Sequence, residues 1–540
     1  MQLLNRSSSF TYVAIALMAV TGAALVLYLT RFGPGAGGDS TAYLMGAENL
    51  LNGNGFSRYS GGYEIRPITG FPPFYSVTLA MVGALDVPLF QAGRWLNALI
   101  FAANISLVGG MVFWLTRSFV APVLAGLLFL ARTTQLELHA WVMSEPLFVL
   151  LSLVAICLLG LYFDRQRTRW LIAAAAVTVL ATLTRYVGAA LIGAGVIGIL
   201  AFGPLRLSRR IREVAIFAGL SAIPVYMWLL RNRAVGGTLV NREVNYHPME
   251  PDLIRLFMAD ISSWFVPHAV PLPMMVRAAL AIFIAGGVLL GLMITLGRTW
   301  LRWDRTRFEI TGPRPVLSSV PWLLVLYTAG NLAILWVNST WLDAATTAAA
   351  PPRYLAPVFV TTLILFSIVV AHVVGRPGAP RVASKLVTGY ALVLFAFFAA
   401  GSLVMVRDPL PNLGYTGRKY MWPEVVDHLE RIPEQVPIIS NNPEMIYILA
   451  GRPAYVRPIS FDPYRGELRE DYQKQFAQLE TQLASGAVFV VFDEIEADDQ
   501  EVIERFNLQL LGEYPAARIY GQSQYSELEI GAVVVDMVAL

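Results

Sequence analysis

Apolar residues in this chain come in long, nearly unbroken blocks, not at the two- or 3.6-residue spacing of a half-buried surface. Eleven such blocks are read as helices in a bilayer: 12–30, 94–116, 119–132, 141–163, 170–183, 186–202, 214–230, 275–296, 320–337, 355–374 and 386–406. Blocks 119–132 and 170–183 are short for a full crossing. They are either extended by neighbouring polar turns or are broken helices beside a cavity. The first block is too long for a signal-peptide core and is read as a retained anchor.

A further segment, 74–90, is apolar but opens on Pro72-Pro73 and carries Asp86. If it crossed the membrane, every later loop would change sides. If it lies flat, Arg6, Arg117 and the basic groups around 165–169, 206–212, 298–314 and 376–385 share one side. Short basic loops mark the cytoplasmic face. The expected topology therefore has an interfacial 74–90, a cytoplasmic N-terminus and an external chain after 406.

Beyond 406 the pattern changes. Apolar runs at 436–440, 487–492 and 531–538 alternate with helical patterns at 424–431, 444–449, 470–484 and 500–506. That alternation predicts a small soluble α/β domain. The expected organisation is a polytopic α-helical membrane domain, 1–406, with interfacial helices, followed by an external α/β domain, 407–540.

Composition agrees. Of 540 residues, 56% are hydrophobic and only 14% charged, too few charges to cover a water-soluble surface. The net charge of +3 gives no reason to expect a nucleic-acid partner. The single cysteine, Cys157, excludes an intrachain disulfide and a Cys-rich metal centre.

Ionisable residues at the outer ends of the spans are the candidates for chemistry. Asp39, in GGDSTAYL just after the first span, suits a general base at the membrane surface; it is equally read as the N-cap of a helix over 40–51. Tyr43 and Arg66 follow in the same external loop. Glu145, in MSEPLF, is costly at a span end unless it faces a partner or a wet cavity. Glu137 and His139 lie just before it, and with Asp39 offer oxygen and nitrogen ligands for a divalent metal, though no spacing selects one. Arg185 and Tyr186 in TRYVG, and Arg353 and Tyr354 in PPRYLAP, pair an arginine with a tyrosine at two outer span ends. Arginine's planar fork matches phosphate oxygens, so these pairs suggest a lipid-phosphate site; a lone arginine there would simply anchor a helix end. His247 and His268 read equally as packing or interfacial residues and as ligands.

In order and sidedness, GGDSTAYL, FPPFY, MSEPLF, TRYVG and PPRYLAP resemble the GT-C class of membrane glycosyltransferases. The likeness is strongest to the protein O-mannosyltransferase, aminoarabinose transferase and Rgt-like family, and covers about 1–406. The resemblance implies a sugar moved from a polyprenyl-phosphate donor to a glycan, lipid or protein acceptor, at the outer face of a bacterial inner or plasma membrane. It implies Asp39 as base, Arg185 and Arg353 as phosphate clamp, and inversion at the anomeric carbon. The family often has a second acidic residue directly behind the aspartate. Ser40 stands there in this chain, which leaves metal use and acceptor type open. Two other readings compete. A lipid-linked sugar transporter or flippase would show midplane charges and repeat symmetry. An O-antigen polymerase or ligase would not need an aspartate directly after the first span.

Overall fold

The computed structural model describes residues 2–203, 206–242, 244–267, 270–308, 319–342, 351–374, 381–410, 413–462 and 467–522. The expected strand 531–538, His268 and residues 343–350 lie outside them. The chain divides into two compact units: Met1–Phe32 with Thr69–Asp408, and Gly33–Ile68 with Pro409–Leu540.

The first unit is helical, and each of the eleven apolar blocks falls on a helix. Among the described residues, seven helices are long and apolar enough to cross a membrane: Ser8–Leu29, Leu89–Thr116, Glu145–Arg165, Leu207–Gly236, Met274–Gly291, Val320–Trp341 and Ser384–Arg407. Val120–Ala131, Thr168–Thr184 and Ala356–His372 are shorter apolar helices. The protein is an integral membrane protein of polytopic α-helical type. The ambiguous segment forms a helix only over Phe74–Gly83, 10 residues. At about 1.5 Å per residue that is half the thickness of a hydrocarbon core, too short to cross. Asp86 follows at φ 61°, a left-handed turn residue outside the helix.

Small residues bring the helices of this unit together. A Cβ added at Gly22 would run into Ile105, and one at Gly109 would come within 3.0 Å of Ile15. The first helix and Leu89–Thr116 thus meet through glycines on both sides, the usual route to close packing where lipid removes the hydrophobic drive. Tyr75, Phe101, Phe129, Phe148 and Tyr327 fill the interior. Leu17, Val20, Leu99, Ile223 and Phe283 are exposed on span helices, as lipid-facing positions should be.

The second unit holds a five-stranded sheet in the order Tyr455–Val456, Ile438–Ser440, Val488–Phe492, Ala517–Gly521, Gln509–Tyr514. The first three strands are parallel and the last two antiparallel to their neighbours. The run VFVVF is buried at every position because both faces of the sheet are covered. Val488, Val490 and Phe492 pack with Leu429 and Ile446, whereas Phe489 and Val491 pack with Phe476 and Leu483. The expected α/β domain is therefore present. The strands Gln509–Tyr514 and Ala517–Gly521 were not foreseen.

The domain boundary differs from the expected one. The loop 33–68, assigned by sequence to the membrane domain, belongs to the unit that contains the tail. Ala36 N–H donates to Leu413 O at 3.2 Å, and Tyr415 N–H to Ala36 O at 2.9 Å. Tyr447 donates its hydroxyl to Glu48 at 2.5 Å, tying the helix Gly38–Leu51 to Pro443–Ala450. Gly62, at φ 99°, lies so close under the Tyr455 ring that any Cβ would collide with it. These bonds join residues nearly 400 positions apart, which no local pattern announces.

Candidate functional site

The sequence-predicted residues fall into two groups, one in each unit. In the membrane unit, Glu145 opens the helix Glu145–Arg165, with Pro146 in its first turn. Its side chain is only 1% exposed, and two arginines meet it there. Arg185 Nη1 lies 2.8 Å from Glu145 Oε1, and Arg353 Nε donates to the same oxygen. Arg185 also donates to Ser144 Oγ at 3.2 Å. Both guanidiniums stand over the Tyr354 ring, at 5.9 and 5.8 Å from its centroid. Arg185 follows the C-terminus of Thr168–Thr184 with extended backbone, and Arg353 sits in the one-turn helix Pro351–Tyr354. Separate span ends thus deliver them to one place.

This arrangement joins residues that sequence reasoning kept apart. Glu145, grouped there with Glu137 and His139 as a cavity or metal candidate, is the counter-charge of both predicted clamp arginines. Two guanidiniums converge on one carboxylate in a largely dry setting, where their planar forks also suit the oxygens of an anion. Removing Glu145 would leave two arginines without their partner.

Other predicted residues are placed elsewhere. The Tyr186 hydroxyl accepts from Asn232 Nδ2 at 3.1 Å and Trp228 Nε1 at 3.3 Å, so it braces the helix Leu207–Gly236, not the arginine group. His139 is buried, with Nδ1 at 2.6 Å from Gln135 O and Nε2 at 3.1 Å from Asn104 Nδ2. Both ring nitrogens are engaged, so it is not available as a metal ligand, and burial lowers its pKa to about 4. Glu137 is half-buried, and desolvation raises its pKa. Among the described residues, no three His, Cys, Asp or Glu side chains stand together in a metal-holding group. A second buried pair was missed by sequence: Arg132 donates to Ser263 Oγ at 2.7 Å and to Asp260 at 3.3 Å. His247 donates from Nε2 to Leu342 O, 2.6 Å away, as a packing residue.

In the second unit, the helix begins at Gly38, and Gly37 is its N-cap, with no side-chain cap bond. Asp39 is therefore a first-turn residue, and the cap reading is corrected. It sits where the helix dipole favours negative charge. Gly37 and Gly38 let the tail approach: a Cβ on Gly38 would be 3.1 Å from Glu444 Oε2. Glu444, in the first turn of Pro443–Ala450, is thus brought beside Asp39. Its pKa is raised by burial and by the charge of Asp39, and lowered by Arg58. Tyr43 is buried in the helix core. Arg66 is an exposed hairpin residue, 63% exposed and paired with Glu64 at 2.7 Å, and has no place in a cavity.

A cavity of about 390 Å³ adjoins these residues. Thr41, Met45, Arg58, Tyr59, Tyr415, Asn442 and Glu444 are among its walls. Arg58, Tyr415 and Glu444 had no signal in sequence. The start of the Glu444 helix did have one, since Asn442-Pro443 is the pattern of an N-cap followed by proline. Asn442 Oδ1 indeed accepts Met445 N–H at 3.1 Å.

Solved structures share this architecture. ArnT from Cupriavidus metallidurans, bound to undecaprenyl phosphate, matches with a TM-score of 0.56 and 13% identity, over 94% of this chain and 97% of that one. Its apo state matches equally well, at 14% identity. The arabinofuranosyltransferase AftD from Mycobacteria matches with a TM-score of 0.51 and 14% identity, over 94% of this chain but 39% of the larger protein. The fold is that of the GT-C glycosyltransferases. No protein-family model matches the sequence, and no curated protein is similar to it in sequence.

Proposed function

We propose that this chain is a GT-C glycosyltransferase that takes a hexose or pentose from a polyprenyl-phosphate carrier and passes it to an acceptor hydroxyl. The observation that carries the reading is the buried Glu145 group with its two arginines, set in this fold. Bidentate guanidinium forks suit the oxygens of a departing phosphate and would stabilise it as the sugar leaves. The ArnT structure with bound undecaprenyl phosphate supports a polyprenyl phosphate as the lipid partner.

In this reading the acceptor oxygen attacks the anomeric carbon, and Asp39 takes the proton of that hydroxyl. The bond from anomeric carbon to phosphate oxygen breaks, and polyprenyl phosphate leaves on Arg185 and Arg353. Its phosphate is a weak base, so no general acid is needed. One displacement inverts the anomeric centre. Glu145 acts through the arginines as a positioning residue. The basic-loop asymmetry supports a cytoplasmic N-terminus and an external face for Asp39, in a bacterial inner or plasma membrane.

The test is donor discrimination with the purified protein in nanodiscs. It is expected to release polyprenyl phosphate from a polyprenyl-phosphate sugar and to leave nucleotide sugars intact. Consumption of a nucleotide sugar would assign the chain to a different donor class.

A further inference from the structure

The cavity of the second unit differs in chemistry from the arginine group. Among the described residues, Arg58 is its one cationic wall residue and Glu444 its one acidic one, with Asp39 acting on Glu444 from the helix Gly38–Leu51. A phosphate or carboxylate ligand would meet two acids for one guanidinium. A cation would meet that guanidinium at close range. The remaining walls mix the hydroxyls of Thr41 and Tyr59 with the apolar surface of Met45 and Ala454.

Two of the polar wall residues are already committed. Asn441 donates to Phe492 O at 2.9 Å and accepts from Phe492 N–H at 3.0 Å. Asn442 caps its helix. The Glu444 carboxyl is different. It is half-buried, the charges of Arg58 and Asp39 act on it, and among the described residues no hydrogen bond to it is seen. A carboxyl in that position has hydrogen-bonding capacity left for a ligand, and the cavity is where one can reach it. The location points the same way. Asn441 to Glu444 follow the carboxyl end of strand Ile438–Ser440, and open α/β sheets hold ligands at the carboxyl ends of their parallel strands. The volume is that of a small-ligand site.

We propose that this cavity binds an uncharged saccharide unit of the acceptor, with Glu444 and Arg58 hydrogen-bonding its hydroxyls and Tyr59 and Tyr415 bounding its less polar faces. The word acceptor rests on the transferase reading above; saccharide binding by the cavity does not. The tail domain then selects the acceptor, since it supplies Tyr415, Glu444 and Val456.

The test uses the full chain in nanodiscs and saturation-transfer NMR with a panel of neutral methyl glycosides and short neutral oligosaccharides, inorganic phosphate serving as competitor. Two variants probe the cavity. Val456→Trp fills its mouth from an exposed edge-strand position, where the fold tolerates bulk. Glu444→Ala removes the unbonded carboxyl. Arg66→Ala, on the same hairpin but outside the cavity, is the control. Binding of at least one neutral saccharide, weakened tenfold or more by both variants, left unchanged by the control and not displaced by phosphate, is expected. Binding of none, binding that survives both variants, or displacement by equimolar phosphate overturns the proposal. Release of polyprenyl phosphate from the lipid-linked donor, measured on the same samples, separates the two readings. Donor turnover without saccharide binding removes the cavity proposal alone, and saccharide binding without donor turnover removes the transferase reading alone.

Discussion

The arginine group of the membrane unit and the cavity of the tail unit both join arginine to carboxylate, yet with opposite balance. Around Glu145, two guanidiniums share one carboxylate that is almost wholly out of solvent. Around Arg58, one guanidinium faces Glu444 with Asp39 nearby. In the first, two guanidinium forks converge and suit the oxygens of an anion. In the second, the surplus is negative and burial pushes one acid toward its neutral form. Residue types alone would not separate the two places; the ratio of charges and their access to water do.

The largest effect should come from Asp39. Asp39→Asn is expected to lower transfer by roughly 10²–10⁴-fold, the worth of a positioned base. Stability should change by about 1 kcal/mol or less, because the cap is Gly37 and only a helix-dipole contribution is lost. Near-normal turnover in a steady-state assay would remove Asp39 from the chemistry. Next comes Glu145→Ala, which strips both arginines of their counter-charge. A cost of about 3–5 kcal/mol is expected, seen as a lower melting temperature in detergent. An unchanged melting temperature would mean that the arginines do not depend on Glu145.

Within the tail unit, Arg457 offers a contrast. It is buried and holds Asp498 at 2.7 Å and Asp499 at 2.6 Å, a purely structural group. Arg457→Ala should destabilise by about 3 kcal/mol or more, leaving a buried aspartate unpaired. An unchanged melting temperature would contradict that structural role.

The smallest effect concerns pH. Burial holds the Glu444 pKa above its ordinary 4.5, so the native state binds this proton more tightly than the unfolded chain does. Stability from this group is present below about pH 4.5 and is lost as pH rises through the raised native value. Glu444→Gln should therefore gain on the parent protein as pH increases from 4 to 8, by a few degrees in melting temperature at most. A difference that does not vary with pH would place Glu444 in water.

Much of the membrane unit was legible because bilayer burial writes itself as long apolar runs, and all eleven fall on helices. The basic loops argued that 74–90 does not cross, and the 10-residue length of Phe74–Gly83 agrees. Arg185 and Arg353 stood out because each is paired with a tyrosine at an outer span end, where an arginine fork suits a lipid phosphate. Their common partner Glu145 was also visible, but nothing local told which charges would meet. The tail unit was less legible for the same reason. Glu444 and Arg58 reach the neighbourhood of Asp39 through contacts across hundreds of residues, and the edge strand Gln509–Tyr514 carries no alternating apolar signal. Tyr186 misled because its hydrogen-bond partner Asn232 lies far along the chain, at the end of a different helix.

The proposed division of labour puts the donor phosphate on the arginine group and the base on Asp39. Native mass spectrometry of undecaprenyl phosphate bound to the parent protein, Arg353→Ala and Asp39→Asn tests it most directly. Asp39→Asn is expected to retain the lipid and Arg353→Ala to bind it at least tenfold more weakly, with Arg353→Lys rescuing poorly because a point charge lacks the bidentate fork. Full lipid binding by Arg353→Ala, or its loss in Asp39→Asn, would contradict it.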